Sequence, residues 1–157
     1  MLLNRIFKLT DDNHILHKDL TGTAMTPDQV GKGWRADLIK LCRERNAAGL
    51  AANQLGVPMN FFFVAASVRM TGMPVPQLCL NPSWTPVGEC GRTRMREGCK
   101  SLPDEYHVVR WHCIDATWTD TLGKVQNRRL KGYGAEVYQH EHDHLRGLTL
   151  VETGSRI

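Results

Sequence analysis

"VYQHEHDHLRG", residues 137–147, sets three histidines and two acidic residues into five consecutive positions. The segment from about 133 to 146 has helical periodicity, with Val137, His140, Glu141 and His144 along one side. On such a helix His140 and His144, four apart, lie one above the other and both reach a single metal ion. Glu141 stands beside them. This is the His-Glu-x-x-His arrangement, in which the glutamate is a proton acceptor for water rather than a ligand. His142 is half a turn away and reads as a surface histidine. Asp143 is positioned to fix a nearby donor whose identity the sequence does not give.

The bounds of the chain limit what that helix can belong to. Its 157 residues suit one domain, 1–157, large enough for a core without disulfide staples. A hydrophobic content of 41% and a charged content of 23% are those of a globular protein and exclude disorder. The apolar run "FFFVAA" (61–66) is far short of a membrane span, and the N-terminus lacks a signal peptide's apolar core. A cytoplasmic or organelle-matrix location is expected. Five cysteines (Cys42, Cys79, Cys90, Cys99, Cys113) without regular spacing argue against a disulfide framework. The net charge of +4 is mild, and its short basic groups, Arg92/Arg94/Arg96 and Arg128/Arg129/Lys131, read as solvated surface rather than a nucleic-acid face.

The remaining elements give an α+β arrangement. Thr26 as N-cap, Pro27 at the first helical position and Gln29 in a capping-box pattern predict an amphipathic helix whose stripe is Val30, Trp34, Leu38, Leu41 and Cys42. "NFFFVAAS" (60–67) predicts a buried strand. "CIDATWTDTLGKVQN" (113–127) alternates Ile114, Ala116 and Trp118 with polar residues around a Gly123 turn, a hairpin signal. Short, mostly antiparallel strands are therefore expected to pack around the C-terminal His-Glu-x-x-His helix, with the amphipathic helix near the N-terminus.

Two imidazoles need a further ligand, and its identity sets the class of enzyme. A metzincin would place a histidine where Leu150 stands, and a thermolysin-like enzyme would need a glutamate well downstream, where only Glu152 is available. The ligand is therefore upstream, and a cysteine or another histidine is its natural type. Cys99 in "REGCKSLPDE" is the foremost candidate, because Gly98 and Pro103 bracket it in a constrained segment. Cys42, Cys79 and Cys113 lie in apolar runs and read as inert buried thiols.

"GLAANQLG" (49–56), "EGCKS" (97–101) and "QHEHDHLRG" (139–147) resemble, in order and separation, the three signature motifs of peptide deformylases. The resemblance covers most of the chain. It implies removal of the N-formyl group from formylmethionyl nascent peptides, with release of formate. It also implies one divalent ion, usually Fe2+ with Zn2+, Ni2+ or Co2+ as substitutes, held by Cys99, His140 and His144. By the same resemblance Glu141 is the base, and the Gln54 side chain and the Lys100 backbone N–H hold the oxyanion. Gly49 lies on the cleft edge that pairs with substrate backbone, and Met95, Tyr133, Val137 and the His140 ring form the methionine pocket. Glu97 either supports the site by pairing with Arg110 or makes an ordinary surface ion pair. The expected partners are formylmethionyl peptides, with transient ribosome proximity, no membrane and no specific nucleic acid, for a monomer.

The chain departs from the family pattern in four places. Ala47 replaces a glycine of the first motif, Lys100 replaces an apolar residue after the cysteine, and Glu136 stands where apolar or basic pocket residues are usual. The end at "GLTLVETGSRI" resembles shortened members, phage-encoded ones included, for which host cytoplasm is the setting. A catalytically degenerate peptide-binding domain is the competing reading, and a broader metallopeptidase a third.

Overall fold

A computed structural model describes residues 3–8, 11, 14–65 and 72–157. "FFFV" forms a strand, β2 (Phe61–Val64), every residue of which is buried. Alternation along it explains why: Phe61 packs on Trp34 at a ring separation of 5.3 Å, while Phe62 meets Tyr138 edge-on at 4.8 Å. A strand covered on both faces belongs inside a sheet, and β2 pairs antiparallel with β1 (Gly49–Ala51) and β3 (Gln77–Pro86). Ala66 and Ser67, the end of the predicted strand, lie outside the described residues.

The hairpin forms as its alternation predicts. Two further strands, numbered by chain order β6 (Cys113–Thr119) and β7 (Val125–Lys131), extend this sheet to the order β1-β2-β3-β6-β7. Ile114, Ala116 and Trp118 point inward, and Asp120 Oδ1 accepts from the backbone of Leu122 and Lys124 at 2.9 Å around Gly123, whose φ is +81°. The second sheet is β4 (Arg92–Gly98), β5 (Glu105–Trp111) and β8 (Gly154–Arg156), also antiparallel. On β5 the inward set is Tyr106, Val108 and Arg110, so the strand's period carries a guanidinium into the interior.

The C-terminal helix is α2 (Tyr133–Leu145), buried over most of its surface against β1, β2 and β7. Tyr138 anchors it by donating its hydroxyl to the carbonyls of Thr117 at 2.8 Å and Ser83 at 3.2 Å. A one-turn α3 (Leu150–Thr153) follows, capped by Thr149 and Glu152. No helix among the described residues is long and apolar enough to cross a membrane.

Two expectations are corrected. The amphipathic helix does not run from Thr26: a single 3-10 turn (Pro27–Gln29) closes with the Thr26 N–H donating to Gln29 Oε1 at 2.8 Å, and α1 (Trp34–Arg45) begins after Gly33. Gly33, at φ +88°, has a left-handed conformation that interrupts helical winding, and the Trp34 indole folds onto Gly31 where a Cβ would stand. Trp34, Leu38, Leu41 and Cys42 still form the buried stripe, without Val30 in the helix. Cys113 is not an inert thiol: it forms a disulfide with Cys90, across a Cα separation of 5.7 Å. Cys90 sits in a 3-10 turn (Gly88–Cys90) beside the start of β6, where the backbone N–H of Val87 already donates to the Cys113 carbonyl. Cys42 and Cys79 are free and buried as expected.

Candidate active site

The helix and the second sheet meet where β4 ends. Cys99 follows the last residue of β4 and is held in a turn, with the Leu102 N–H donating to its carbonyl at 3.0 Å. Its Sγ lies 3.3 Å from His144 Nε2, which in turn lies 3.3 Å from His140 Nε2. One ligand atom from each of Cys99, His140 and His144 falls within 4.8 Å of the others. The two rings, 4.9 Å apart at 76°, turn their Nε2 atoms toward the sulfur.

The backbone around the sulfur favours its thiolate. The Ser101 N–H and Gln54 Nε2 both point at Sγ from 3.4 Å. Gln54 is itself fixed, because Nε2 also donates to Ser101 Oγ at 3.1 Å and Oε1 accepts from the Ala51 N–H at 3.0 Å. Burial would push the Cys99 thiol up, yet the charge of His144 and hydrogen bonds from both imidazoles bring it well below its ordinary value. One thiolate and two imidazole nitrogens, converging and held, are a donor set that fits a divalent metal ion with a coordination position left open.

Behind the imidazoles lies a buried charge network. His140 Nδ1 bonds to Glu97 Oε2 at 2.9 Å, and Glu97 receives two bonds from Arg110, at 2.8 and 2.9 Å. The third Arg110 bond goes to Asp143, three residues after His140 on α2. With exposures of 5%, 6% and 8%, Glu97, Arg110 and Asp143 are interior, so the surface-ion-pair alternative for Glu97 and Arg110 does not hold. Burial would raise the Glu97 carboxyl, but Arg110 and then His140 outweigh it and hold it at about 2. A permanently ionised Glu97 keeps a proton on His140 Nδ1 and leaves Nε2 for the metal side.

Glu141 has the opposite environment. Burial pushes its carboxyl up to about 7, although His140 and His144 pull the other way, and among the described residues Oε2 is buried with no hydrogen-bond partner. An unsatisfied buried acceptor beside a metal-binding set is a place for a water proton. The carboxyl packs directly on Gly49: a Cβ there would lie 2.7 Å from Oε1 and 2.9 Å from Cδ. Gly49→Ala is accordingly expected to swing Glu141 away and to lower hydrolytic turnover at this site about 10²-fold with little change in melting temperature, read from kcat and a thermal scan of the same preparation.

A cavity of about 480 Å³ opens over these groups, lined by Gly49, Gln54, Cys99, His140 and Glu141. Tyr133, Val137, Glu97 and Lys100 also line it, whereas Met95 does not. Met95 shares a strand face with Glu97 but stands two residues earlier on β4, farther from Cys99, paired with Val108 and only half-buried. His142 is corrected too: it is half-buried, edge-on to Trp84 at 6.4 Å, and burial lowers its pKa. Two supporting residues were not legible in sequence. Asn53 donates through Nδ2 to the His144 carbonyl, tying the first motif to the last turn of α2, and Ser101 braces Gln54. Asn53 lies in "GLAANQLG" beside Gln54, but a lone asparagine in a short segment carries no signal of a bond to a helix end 91 residues away.

Comparison with known proteins follows the same geometry. The family model described as polypeptide deformylase matches residues 4–157. A peptide deformylase of Aquifex aeolicus is 32% identical over 141 residues, 89% of this chain and 82% of that one. The crystal structure of a peptide deformylase from Thermotoga maritima superposes with a TM-score of 0.78 at 27% identity, covering 98% of both chains. A class I type b peptide deformylase from Acinetobacter baumannii, solved with Met-Ala-Ser bound, shares the fold at a TM-score of 0.78 and 24% identity over 98% of this chain and 99% of that one.

Proposed function

Because the chain belongs to the peptide deformylase family, we propose that it hydrolyses the formamide of N-formylmethionyl peptides, releasing formate and a free amino terminus. The observation that carries the reading is the buried, unpartnered Oε2 of Glu141 beside the converging Cys99, His140 and His144 atoms. The family is metal-dependent. Fe2+ is the ion we assign, held by Cys99 Sγ and the two Nε2 atoms, and when bound it supplies Lewis acidity that makes water nucleophilic near neutral pH.

The chain's own groups perform the rest. Glu141 takes a proton from the attacking water at Oε2 and delivers it to the departing nitrogen, a shuttle suited to a carboxyl poised at about 7. Gln54 Nε2, fixed by its Oε1 bond to the Ala51 N–H, and the backbone N–H of Lys100 steady the developing oxyanion. Gly49 presents β1 backbone to the peptide, which adds as a further strand. Tyr133 and Val137 on α2 flank the entering side chain. The substrate class is supported by the Met-Ala-Ser peptide bound to the Acinetobacter baumannii relative. The setting we assign is the cytoplasm, on nascent chains close to the ribosome, with the protein acting as a monomer.

Iron- or nickel-loaded protein is expected to release formate stoichiometrically from a formyl-Met-Ala peptide and to leave an acetyl-blocked Met-Ala peptide uncut. Peptide binding without formate would instead assign a binding domain, and cleavage of internal bonds would assign a general metallopeptidase.

A further inference from the structure

One wall of the cavity carries an acid that the chemistry above leaves unused. Glu136 stands four residues before His140 on α2, on the same face and about 6 Å away along the axis. Its exposure is 9%, and it lines the cavity with Tyr133, Val137 and Glu97. Among the described residues its carboxyl has neither a hydrogen-bond nor an ion-pair partner. The groups whose fields lower it, Arg110 and His140, both bond to Glu97 instead. Arg96, which also lines the cavity, is paired with Glu105. Burial, with Glu97 adding to it, pushes the Glu136 carboxyl up to about 7. A carboxyl on a cavity wall to which the fold supplies no donor is left for a ligand to satisfy.

The ligand part that reaches it follows from covalent geometry. With the formyl carbon beside Cys99, His140 and His144, the first side chain branches two bonds beyond that carbon. A four- or five-atom chain then spans about one helical turn, the distance from His140 to Glu136. A methionine thioether at that depth offers no donor and covers the acid with apolar surface, whereas an amide or ammonium tip replaces the lost water directly.

We propose that Glu136 is a specificity-determining residue of the side-chain pocket, admitting formyl peptides whose first side chain ends in a hydrogen-bond donor alongside those that begin with methionine. The inference rests on the deformylase reading of the site. The experiment compares nickel-loaded wild type with Glu136→Ile and Glu136→Gln on formyl-Met, formyl-norleucyl, formyl-Gln and formyl-Lys peptides that share an Ala-Ser tail. Glu136→Ile is expected to raise kcat/KM for the methionine and norleucine peptides about tenfold and to lower it for the glutamine and lysine peptides about tenfold. The lysine-to-methionine ratio then moves about 10²-fold. Glu136→Gln, the same shape without charge, is expected to lose the lysine peptide selectively, and it carries the test if the isoleucine variant folds poorly. Ratios unchanged in both variants, with formate still released, overturn the proposal and leave the deformylase reading standing. Failure of the wild type on every formyl peptide overturns that reading instead. The proposal is then decided by equilibrium binding of Lys-Ala-Ser against Met-Ala-Ser, and equal relative affinities in wild type and variants overturn it.

Discussion

Glu141→Gln is expected to lower kcat for formate release by about 10³-fold or more while leaving one metal ion per chain and an unchanged fold. The carboxamide has the volume of the carboxyl, so the contact with Gly49 is kept and no cavity opens. What disappears is a group that accepts a proton and returns it. The wild-type carboxyl, pushed up to about 7 by burial, holds a proton well enough to deliver it and weakly enough to release it. A cation beside it pulls that value down, so the acid limb of kcat/KM is expected below pH 7 and is absent from the residual activity of the variant. Metal analysis and a pH profile on one preparation check both halves. A variant that keeps metal and full turnover removes Glu141 as the base, and one that loses its metal shows the residue holding the site together instead.

The helix and its histidine spacing were legible because both depend on local periodicity. Four residues on α2 fix the relation of His140 to His144 whatever the rest of the chain does. The sulfur was reachable by elimination and motif order. Of the Arg110 network the pairing with Glu97 was within reach but the bond to Asp143 was not, since it joins β5 to α2, and no local pattern states that three strongly charged groups share one interior. Period-2 alternation on β5 points Arg110 the same way as Tyr106 and Val108, which shows that it is buried but not what it meets. The same limit explains Met95: the resemblance assigns it by position along the chain, whereas the cavity follows the direction of β4 in space. The split before α1 was available in principle, because Gly31 and Gly33 interrupt the apolar stripe. The capping signal at Thr26 was instead satisfied by one 3-10 turn. Cys90 and Cys113 meet because β6 passes the 3-10 turn that carries Cys90, a fact of sheet order and not of cysteine spacing.

Arg110→Met is expected to destabilise the protein by about 3–5 kcal/mol near neutral pH, because it leaves the buried carboxylates of Glu97 and Asp143 without their cation. For a chain of this size that lowers Tm by about 10 °C or more. The pH dependence separates this cause from lost packing. In the wild type Glu97 titrates at about 2 when folded against its ordinary 4.5, so its ionised form stabilises the fold above about pH 4.5, and that contribution fades as pH falls toward 2. Without Arg110 only His140 is left to oppose burial, and the folded carboxyl moves up from its wild-type value. The variant therefore loses less stability than the wild type as acid protonates Glu97. The gap between the two proteins is expected to be widest near pH 7 and to narrow below about pH 5, measured by urea titration of metal-free protein across that range. Without the two Arg110 bonds Glu97 is no longer fixed behind His140 Nδ1, so the variant is expected to bind its metal ion 10- to 100-fold more weakly, the range typical for outer partners of ligating histidines. A gap that stays constant with pH would mean that the methylene stem of Arg110, and not its charge, holds the second sheet against α2.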